Sequence, residues 1–292
     1  MENNIKTGKI IKVLGGFYYI YNNGSEIECR ARGSFRKDKI KPLVGDIANF
    51  RVPESEEYLG YIEKIHDRKN FLVRPPVSNI DQSIVVFAVK DPNPNFILLD
   101  KFLINSLIEN IEPIICINKI DLDEDKSVEI SKYYEKSGFK VILTSKYLDD
   151  TILKVKNTLK NKTTVFAGPS GTGKSSLLNS IKPGLNIKTG EISKKLKRGK
   201  HTTRHVEMIE IIENSWVVDT AGFSNLNLKG VDKYNLKDYY NEFKDYYCRF
   251  DDCIHHKEPG CDVIEAVEKG EISKLRYDNY LKILSELKEG VY

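Results

Sequence analysis

No apolar run in this 292-residue chain approaches the roughly 18 residues that a membrane-spanning helix needs, so an integral helical membrane protein is not expected. The opening residues, MENNIKTGKI, are polar and carry no apolar core of a signal peptide; a cytoplasmic location is the expectation. Cysteine is scarce and odd in number, five in all, which speaks against a disulfide framework in such a chain. A dominant charge of one sign is also missing. The net charge is only +4, so the molecule does not hold a polyanion by bulk charge alone. With 40% hydrophobic and 30% charged residues, the composition is that of an ordinary globular protein, long enough for two or three domains.

The charge that is present is clustered. Arg30, Arg32, Arg36, Lys37, Lys39 and Lys41 stand against one acid, Asp38, and the segment 182–204 holds eight bases against Glu191. Two such clusters favour a polyanionic partner. Three of the five cysteines crowd into 248–261, a concentration that asks for its own explanation.

Residues 1–74 read as all-β. Lys9–Leu14, Phe17–Tyr21 and Glu26–Arg30 are short strands separated by Gly15-Gly16 and Asn22-Asn23-Gly24, followed by Gly45–Val52 and Leu59–Ile65. Five short antiparallel strands suggest a small OB-type barrel, a form that often binds nucleic acid through basic and aromatic side chains. Arg68–Pro76 reads as a linker. From Ile80 the pattern alternates β and α, with buried strands at Ser83–Val89, Pro113–Ile117, Lys140–Leu143 and Thr163–Ala167. Helices are expected over 95–109, 126–137 and 150–160, and a hairpin over Val206–Ile212 and Ser215–Val218. This is a doubly wound sheet spanning 75–230. The remainder, 231–292, reads as short helices around the cysteine cluster and one long charged helix over 272–288.

Gly168-Pro169-Ser170-Gly171-Thr172-Gly173-Lys174-Ser175 meets every position of the phosphate-binding pattern G-x-x-x-x-G-K-[ST], between a buried strand and a helix opening at Ser175-Ser176. Glycines let backbone N–H groups turn inward around an anion at a positive helix end. Lys174 reaches the terminal phosphates and the Ser175 hydroxyl ligates Mg²⁺.

Asn118-Lys119-Ile120-Asp121 directly follows a buried strand. The Asp121 carboxylate suits the N1–H and exocyclic amine of guanine, donors that adenine does not offer there, and a site built on such bonds rejects the wrong base. Thr144-Ser145, after the next strand, are candidates for a second contact to the base through backbone. Asp219-Thr-Ala-Gly222 ends the strand Ser215–Val218; Asp219 fits a Mg²⁺ ligand and the Gly222 N–H fits a γ-phosphate sensor. Within Lys200-His-Thr-Thr-Arg204 a threonine, Thr203 in preference to Thr202, is the further Mg²⁺ candidate. Phe223 follows Gly222 where Ras-like enzymes place a glutamine that orients water, so His201 is the candidate catalytic group. The base-reading motif precedes the phosphate loop, the reverse of the usual order. That is a circular permutation, which leaves the packing of the sheet intact.

Cys248, Cys253, His255 and Cys261 form a Cys₃His set with His256 as alternative imidazole; four protein ligands close the shell, so a structural Zn²⁺ is expected. Cys29 and Cys116 read as packed core thiols.

Taken together, these residues resemble the RsgA (YjeQ or YloQ) family of circularly permuted GTPases that depend on the small ribosomal subunit. The resemblance covers nearly the whole chain and rests on the motif order, on Lys200–Thr203, Asp219–Phe223 and the zinc spacing. Ala221 stands where the family usually has proline, and Arg204 where many members have a third threonine. The resemblance implies a GTPase stimulated by the 30S subunit late in its maturation, contact of barrel and zinc domain with 16S rRNA, and a catalytic role for His201. GTP and GDP are the expected ligands, a monomer the expected state, and no membrane partner is expected. Two other readings are a GTP-regulated switch acting on a non-ribosomal RNA, and a P-loop kinase or ATPase in which Asn118–Asp121 is coincidental.

Overall fold

The computed structural model describes residues 5–33, 35, 41–53, 59–73, 75–185, 206–218 and 227–288. The chain divides into two compact units, one of Met1–Gln82, Leu159–Phe166 and Gly190–Phe223, the other of Ser83–Thr158, Ala167–Thr189 and Ser224–Tyr292.

In the first unit, β1 (Lys6–Leu14), β2 (Phe17–Asn22), β3 (Ser25–Ala31), β4 (Ile47–Arg51) and β5 (Leu59–Ile65) form a barrel. β1, β2 and β3 pair antiparallel in order, β3 pairs parallel with β5, and β5 returns through β4 to β1. The ring is therefore closed in the 1-2-3-5-4 order of an OB-type barrel. Alternation drives it: Ile10, Ile20, Cys29, Ala48, Phe50 and Ile62 point inward and are fully buried.

The stretch expected to be a linker is structured. β6 (Phe71–Val73) and β7 (Pro76–Ser78) pair as a short hairpin. It is latched to the barrel through buried Asp46, which accepts from Arg68 Nε at 2.7 Å and Ser78 Oγ at 2.6 Å. The latch joins residues 22 and 32 positions apart, so no local period announces it.

Three further strands complete this unit. β11 (Thr163–Ala167) lies parallel to β13 (Ser215–Val218), which pairs antiparallel with β12 (Val206–Ile212). β12 in turn pairs with barrel strand β1 at Val13↔Val206 and Lys12↔Glu207. Here Lys9 Nζ donates to Thr163 Oγ1 at 2.9 Å and lies 5.9 Å from the centre of the Trp216 ring. Tyr21 meets the same ring edge-on at 4.9 Å.

The second unit holds β8 (Gln82–Ala88), β9 (Glu112–Asn118) and β10 (Lys140–Thr144) as neighbours, with β9 and β10 parallel and in register from Ile114↔Lys140 to Asn118↔Thr144. β8 is buried along its whole length, as its apolar run from Ile84 to Ala88 requires. Helix α1 (Phe96–Ile108) starts where the Asn95 side chain accepts from Leu98 N, and α2 (Glu124–Lys136) where Asp123 accepts from Lys126 N. Helices α3 (Asp149–Leu159) and α4 (Lys174–Ile181) follow.

Beyond residue 227 the chain packs α5 (Asp262–Glu268) and α6 (Lys274–Lys288) around Leu236, Tyr240, Val263, Tyr280 and Ile283, all fully buried. Its seam with α1 is ionic. Arg276, 1% exposed, donates to Asp100 and, at 2.8 Å, to Glu242, while Asn279 and Tyr134 donate to Asp100 at 2.9 and 3.0 Å. The rings of Tyr240, Tyr134 and Phe139 surround the guanidinium at 4.5–5.4 Å. Among the described residues no helix is long and apolar enough to cross a membrane.

Candidate functional site

β11 runs directly into the glycine-rich loop, and α4 begins at Lys174. Two glycines are required by what surrounds them. Gly168 has φ +126° and a Cβ there would stand 2.0 Å from Val86 O; Gly173 has φ +95° and its Cβ would stand 2.3 Å from Asn118 Nδ2. Thr172 Oγ1 donates to Pro169 O at 3.0 Å and closes the turn. The Lys174 ammonium lies back across the loop, donating to Gly168 O at 2.8 Å and Pro169 O at 2.6 Å. Burial pulls this ammonium down to about 8 from the usual lysine range. Ser175 is buried on the first turn of α4, and Ser176 follows it.

The segment Asn118–Asp121 meets this loop from the end of β9. Asn118 Nδ2 donates to Thr172 O at 2.8 Å, a bond between residues 54 positions apart. Lys119 adopts a left-handed conformation (φ 63°) and its ammonium donates to Asp91 O. Ile120, Asp121 and Leu122 form one 3-10 turn, where Asp121 Oδ1 accepts from Ser145 Oγ. Thr144 ends β10 and Ser145 follows it, both fully buried. The Ser145 N–H donates to Thr151 Oγ1 at 3.0 Å. The structure thus brings Asn118, Asp121, Ser145, Thr172, Gly173 and Lys174 into one connected site. His201, Thr202, Thr203, Asp219 and Gly222 lie outside the described residues; β12 begins just after the first group and β13 ends just before the second.

Two contributors were not visible in the sequence. The loop after β8 reaches the site through Asp91 and through Pro92, whose Cδ would lie 3.6 Å from a Cβ at Gly171. Thr151 sits on α3 outside every nucleotide motif. Its only signal is a threonine in a first helical turn, a position that ordinarily suggests capping.

A second cluster lies in the C-terminal part. The ligand atoms of Cys248, Cys253, His255 and Cys261 lie within 4.8 Å of one another. His255 Nδ1 stands 3.4 Å from each of the three sulfurs, and the Cys248 and Cys261 sulfurs are 3.6 Å apart. A tetrahedral Zn²⁺ with its usual bond lengths sets such separations at about 3.5–3.8 Å, so the donors fit the ion. Burial, and then Lys237, bring the His255 imidazole down to about 4, which keeps it in the neutral, ligating form. Its backbone carbonyl accepts from Tyr277 OH at 2.8 Å. His256 is not in the group; its N–H donates to Glu258 at 2.7 Å. Burial opposes ionisation of Glu258, but bonds from the N–H groups of His256, Ile254 and Lys257 bring that carboxyl down to about 2. Cys29 and Cys116 are buried core thiols, as expected.

A family model described as the RsgA GTPase matches residues 65–229, and another, the RsgA N-terminal domain, matches residues 7–62. The chain is 47% identical over 285 residues to a small ribosomal subunit biogenesis GTPase RsgA of Caldanaerobacter subterraneus, covering 97% of this chain and 96% of that protein. It is 46% identical to the protein of that name from Bacillus pumilus, over 97% of each chain. The solved structure of YloQ, described as a circularly permuted GTPase, aligns with TM-score 0.82 at 38% identity, covering 98% of this chain and 96% of the other. That of YjeQ from Thermotoga maritima aligns with TM-score 0.85 at 37% identity, covering 97% and 98%.

Proposed function

The chain belongs to the RsgA GTPase family, and from that membership we propose that it hydrolyses GTP to GDP and phosphate as a timing switch on the maturing small (30S) ribosomal subunit. The observation that carries this reading is the bond from Asn118 to Thr172 O. It holds Asn118–Asp121 against the phosphate loop even though that segment comes first in the chain, which supports reading the two as parts of one nucleotide site.

In this reading the N–H groups of 168–175 cradle the phosphates, Lys174 answers the charge that develops on the transferred group, and Asp121 selects guanine. Binding should return the Lys174 ammonium to its fully charged form, since a phosphate replaces two carbonyl oxygens as its partner. Ser175, with Thr203 and Asp219, would hold the Mg²⁺ that neutralises charge between the β- and γ-phosphates. The Gly222 N–H senses the γ-phosphate, and His201 orients the attacking water in place of the glutamine that Phe223 excludes. Intrinsic turnover is then slow, and a ribosomal partner accelerates it in the way that activating partners speed related enzymes by ~10³–10⁵-fold.

The metal of the Cys₃His group is zinc in a structural role, contributing folding energy to a segment with a small core of its own. The division of labour is a barrel (1–74) and a zinc-binding part (231–292) that contact 16S rRNA, and a GTPase domain (75–230) that holds the nucleotide. The protein works as a cytoplasmic monomer. On the barrel, Lys12 over Tyr19 and Arg30 over Phe17 are cation–aromatic pairs of the kind that hold nucleic acid by charge and stacking together.

The test is GTP turnover measured with small subunits, with large subunits and with bare RNA, across a salt series. Stimulation confined to small subunits and falling steeply with salt is expected, because phosphate contacts release counterions. Equal stimulation by all three would instead support a switch acting on another RNA.

A further inference from the structure

The turn that follows β10 spends its backbone donors in a selective way. Leu148 N–H donates to Ser145 O at 3.1 Å, Tyr147 N–H to Ser145 Oγ at 3.2 Å, and Ser145 N–H to Thr151 Oγ1 at 3.0 Å. Between Ser145 and Leu148, only the Lys146 N–H makes no hydrogen bond among the described residues. Thr151 is 8% exposed, and its hydroxyl also donates, most closely to Leu148 O at 2.6 Å, with Ser145 O at 3.1 Å as the alternative. One hydroxyl therefore spans both ends of the turn. The Ser145 it holds is the residue whose own hydroxyl donates to Asp121 Oδ1.

We propose that Thr151 is a positioning residue for guanine selection: by clamping the Ser145–Leu148 turn it sets both the orientation of the Asp121 carboxylate and the place of the uncommitted Lys146 N–H. This rests on the reading of Asp121 as the group that recognises guanine. Thr151 itself touches no nucleotide in this scheme. It acts through Ser145, which is buried and cannot replace a lost backbone partner with water.

A valine keeps the shape of Thr151 but offers Ser145 N–H no acceptor. The freed amide and the relaxed turn let the Ser145 hydroxyl drift from Asp121, and that carboxylate then meets the base without a fixed orientation. The damage should fall hardest on the bond that distinguishes guanine from hypoxanthine, the exocyclic amine that Asp121 accepts. The deciding experiment measures dissociation constants for GDP, IDP and ADP with Mg²⁺, using the full-length zinc-loaded wild-type protein, Thr151→Val, Thr151→Ala and Thr151→Ser. The alanine variant cannot overpack the site, and so keeps the comparison available if valine compromises folding.

The expected result is a GDP affinity roughly 5–20-fold weaker in the valine and alanine variants, the effect of one buried amide left unpaired. The GDP-over-IDP preference should shrink with it, and Thr151→Ser should restore both. Wild-type ratios in both non-polar variants would overturn the proposal. So would an equal weakening of GDP and IDP, which is what a merely structural threonine would give. A wild-type protein that binds ADP as well as GDP would overturn the guanine reading itself, and that failure shows without any variant.

Discussion

Removing the Arg276 guanidinium should produce a loss of stability whose size depends on pH. Arg276 is enclosed by Asp100, Glu242 and three aromatic rings, so a methionine of similar length keeps much of the apolar contact and deletes the charge. Breaking a buried pair by removing one partner costs about 3–5 kcal/mol, because the other charge remains in place. Asp100 is fully buried, and burial already raises its carboxyl above the usual range, with Arg276 as the strongest opposing influence and Glu242 adding to the rise. In Arg276→Met that opposition is gone, so the folded variant holds the Asp100 proton still more firmly.

An acid whose folded pKa is raised favours folding most below its unfolded value, near 4, and that advantage disappears as pH rises through the folded pKa. The variant should therefore lose up to about 1.4 kcal/mol per pH unit between pH 5 and the new folded pKa, and be least stable at pH 8. Hydrogen exchange of α6, corrected for intrinsic rates, reads the local opening free energy directly. In Asp100→Asn/Arg276→Met, Tyr134 and Asn279 retain an acceptor in the amide oxygen. The double variant should recover on the order of 1–2 kcal/mol at pH 8 and lose most of the slope. A pH-independent loss in the single variant, or a double variant no better than the single, would refute the reasoning.

The phosphate loop yields a ranking. Gly168→Ala and Gly173→Ala, whose methyls would collide at 2.0 and 2.3 Å, should abolish GDP binding by calorimetry, whereas Gly171→Ala, with its nearest neighbour at 3.6 Å, should bind with a modest deficit from its φ of +81°. Because burial brings the Lys174 ammonium to about 8, GDP affinity should be steady from pH 6.5 to 7.5. Above pH 8 it should weaken toward about tenfold per unit, as the ammonium loses the proton that the phosphates require; Lys174→Arg should show no such fall. A flat wild-type profile up to pH 9.5 would count against that coupling. Stripping metal with a chelator should release one zinc per chain and make Cys248, Cys253 and Cys261 reactive to thiol reagents, while Cys29 and Cys116 stay protected. Thiols that react equally with and without chelation would contradict a closed metal shell.

What the sequence reveals follows the range of the forces involved. β5, β11, β12 and β13 coincide with their expected bounds to the residue, since each is a short apolar or alternating run with sharp polar ends. Asn95 likewise marks the start of α1, because capping is decided within four residues. The phosphate loop and Asn118–Asp121 were legible as motifs, and the donors of the Cys₃His group were legible from spacing, with His255 preferred over His256 as the imidazole that joins the three sulfurs. The Asp46–Arg68 latch, the Arg276 enclosure and the Thr151 clamp were not legible. Each depends on polar groups meeting across the fold, or on a hydroxyl whose use is settled only by the path of a turn, and neither leaves a period in the chain.

The meeting of Lys9 and Tyr21 with Trp216 has an optical consequence. The chain carries one tryptophan, so its emission comes from a single place. That indole sits on β13, two residues before the strand ends, with a tyrosine of the barrel against its edge and a barrel ammonium nearby. Wavelength and intensity of native fluorescence therefore report whether β1 and β2 remain seated on the strand that leads into Asp219. The protein comes with its own unlabelled spectroscopic gauge of that junction, readable in the same cuvette as nucleotide turnover.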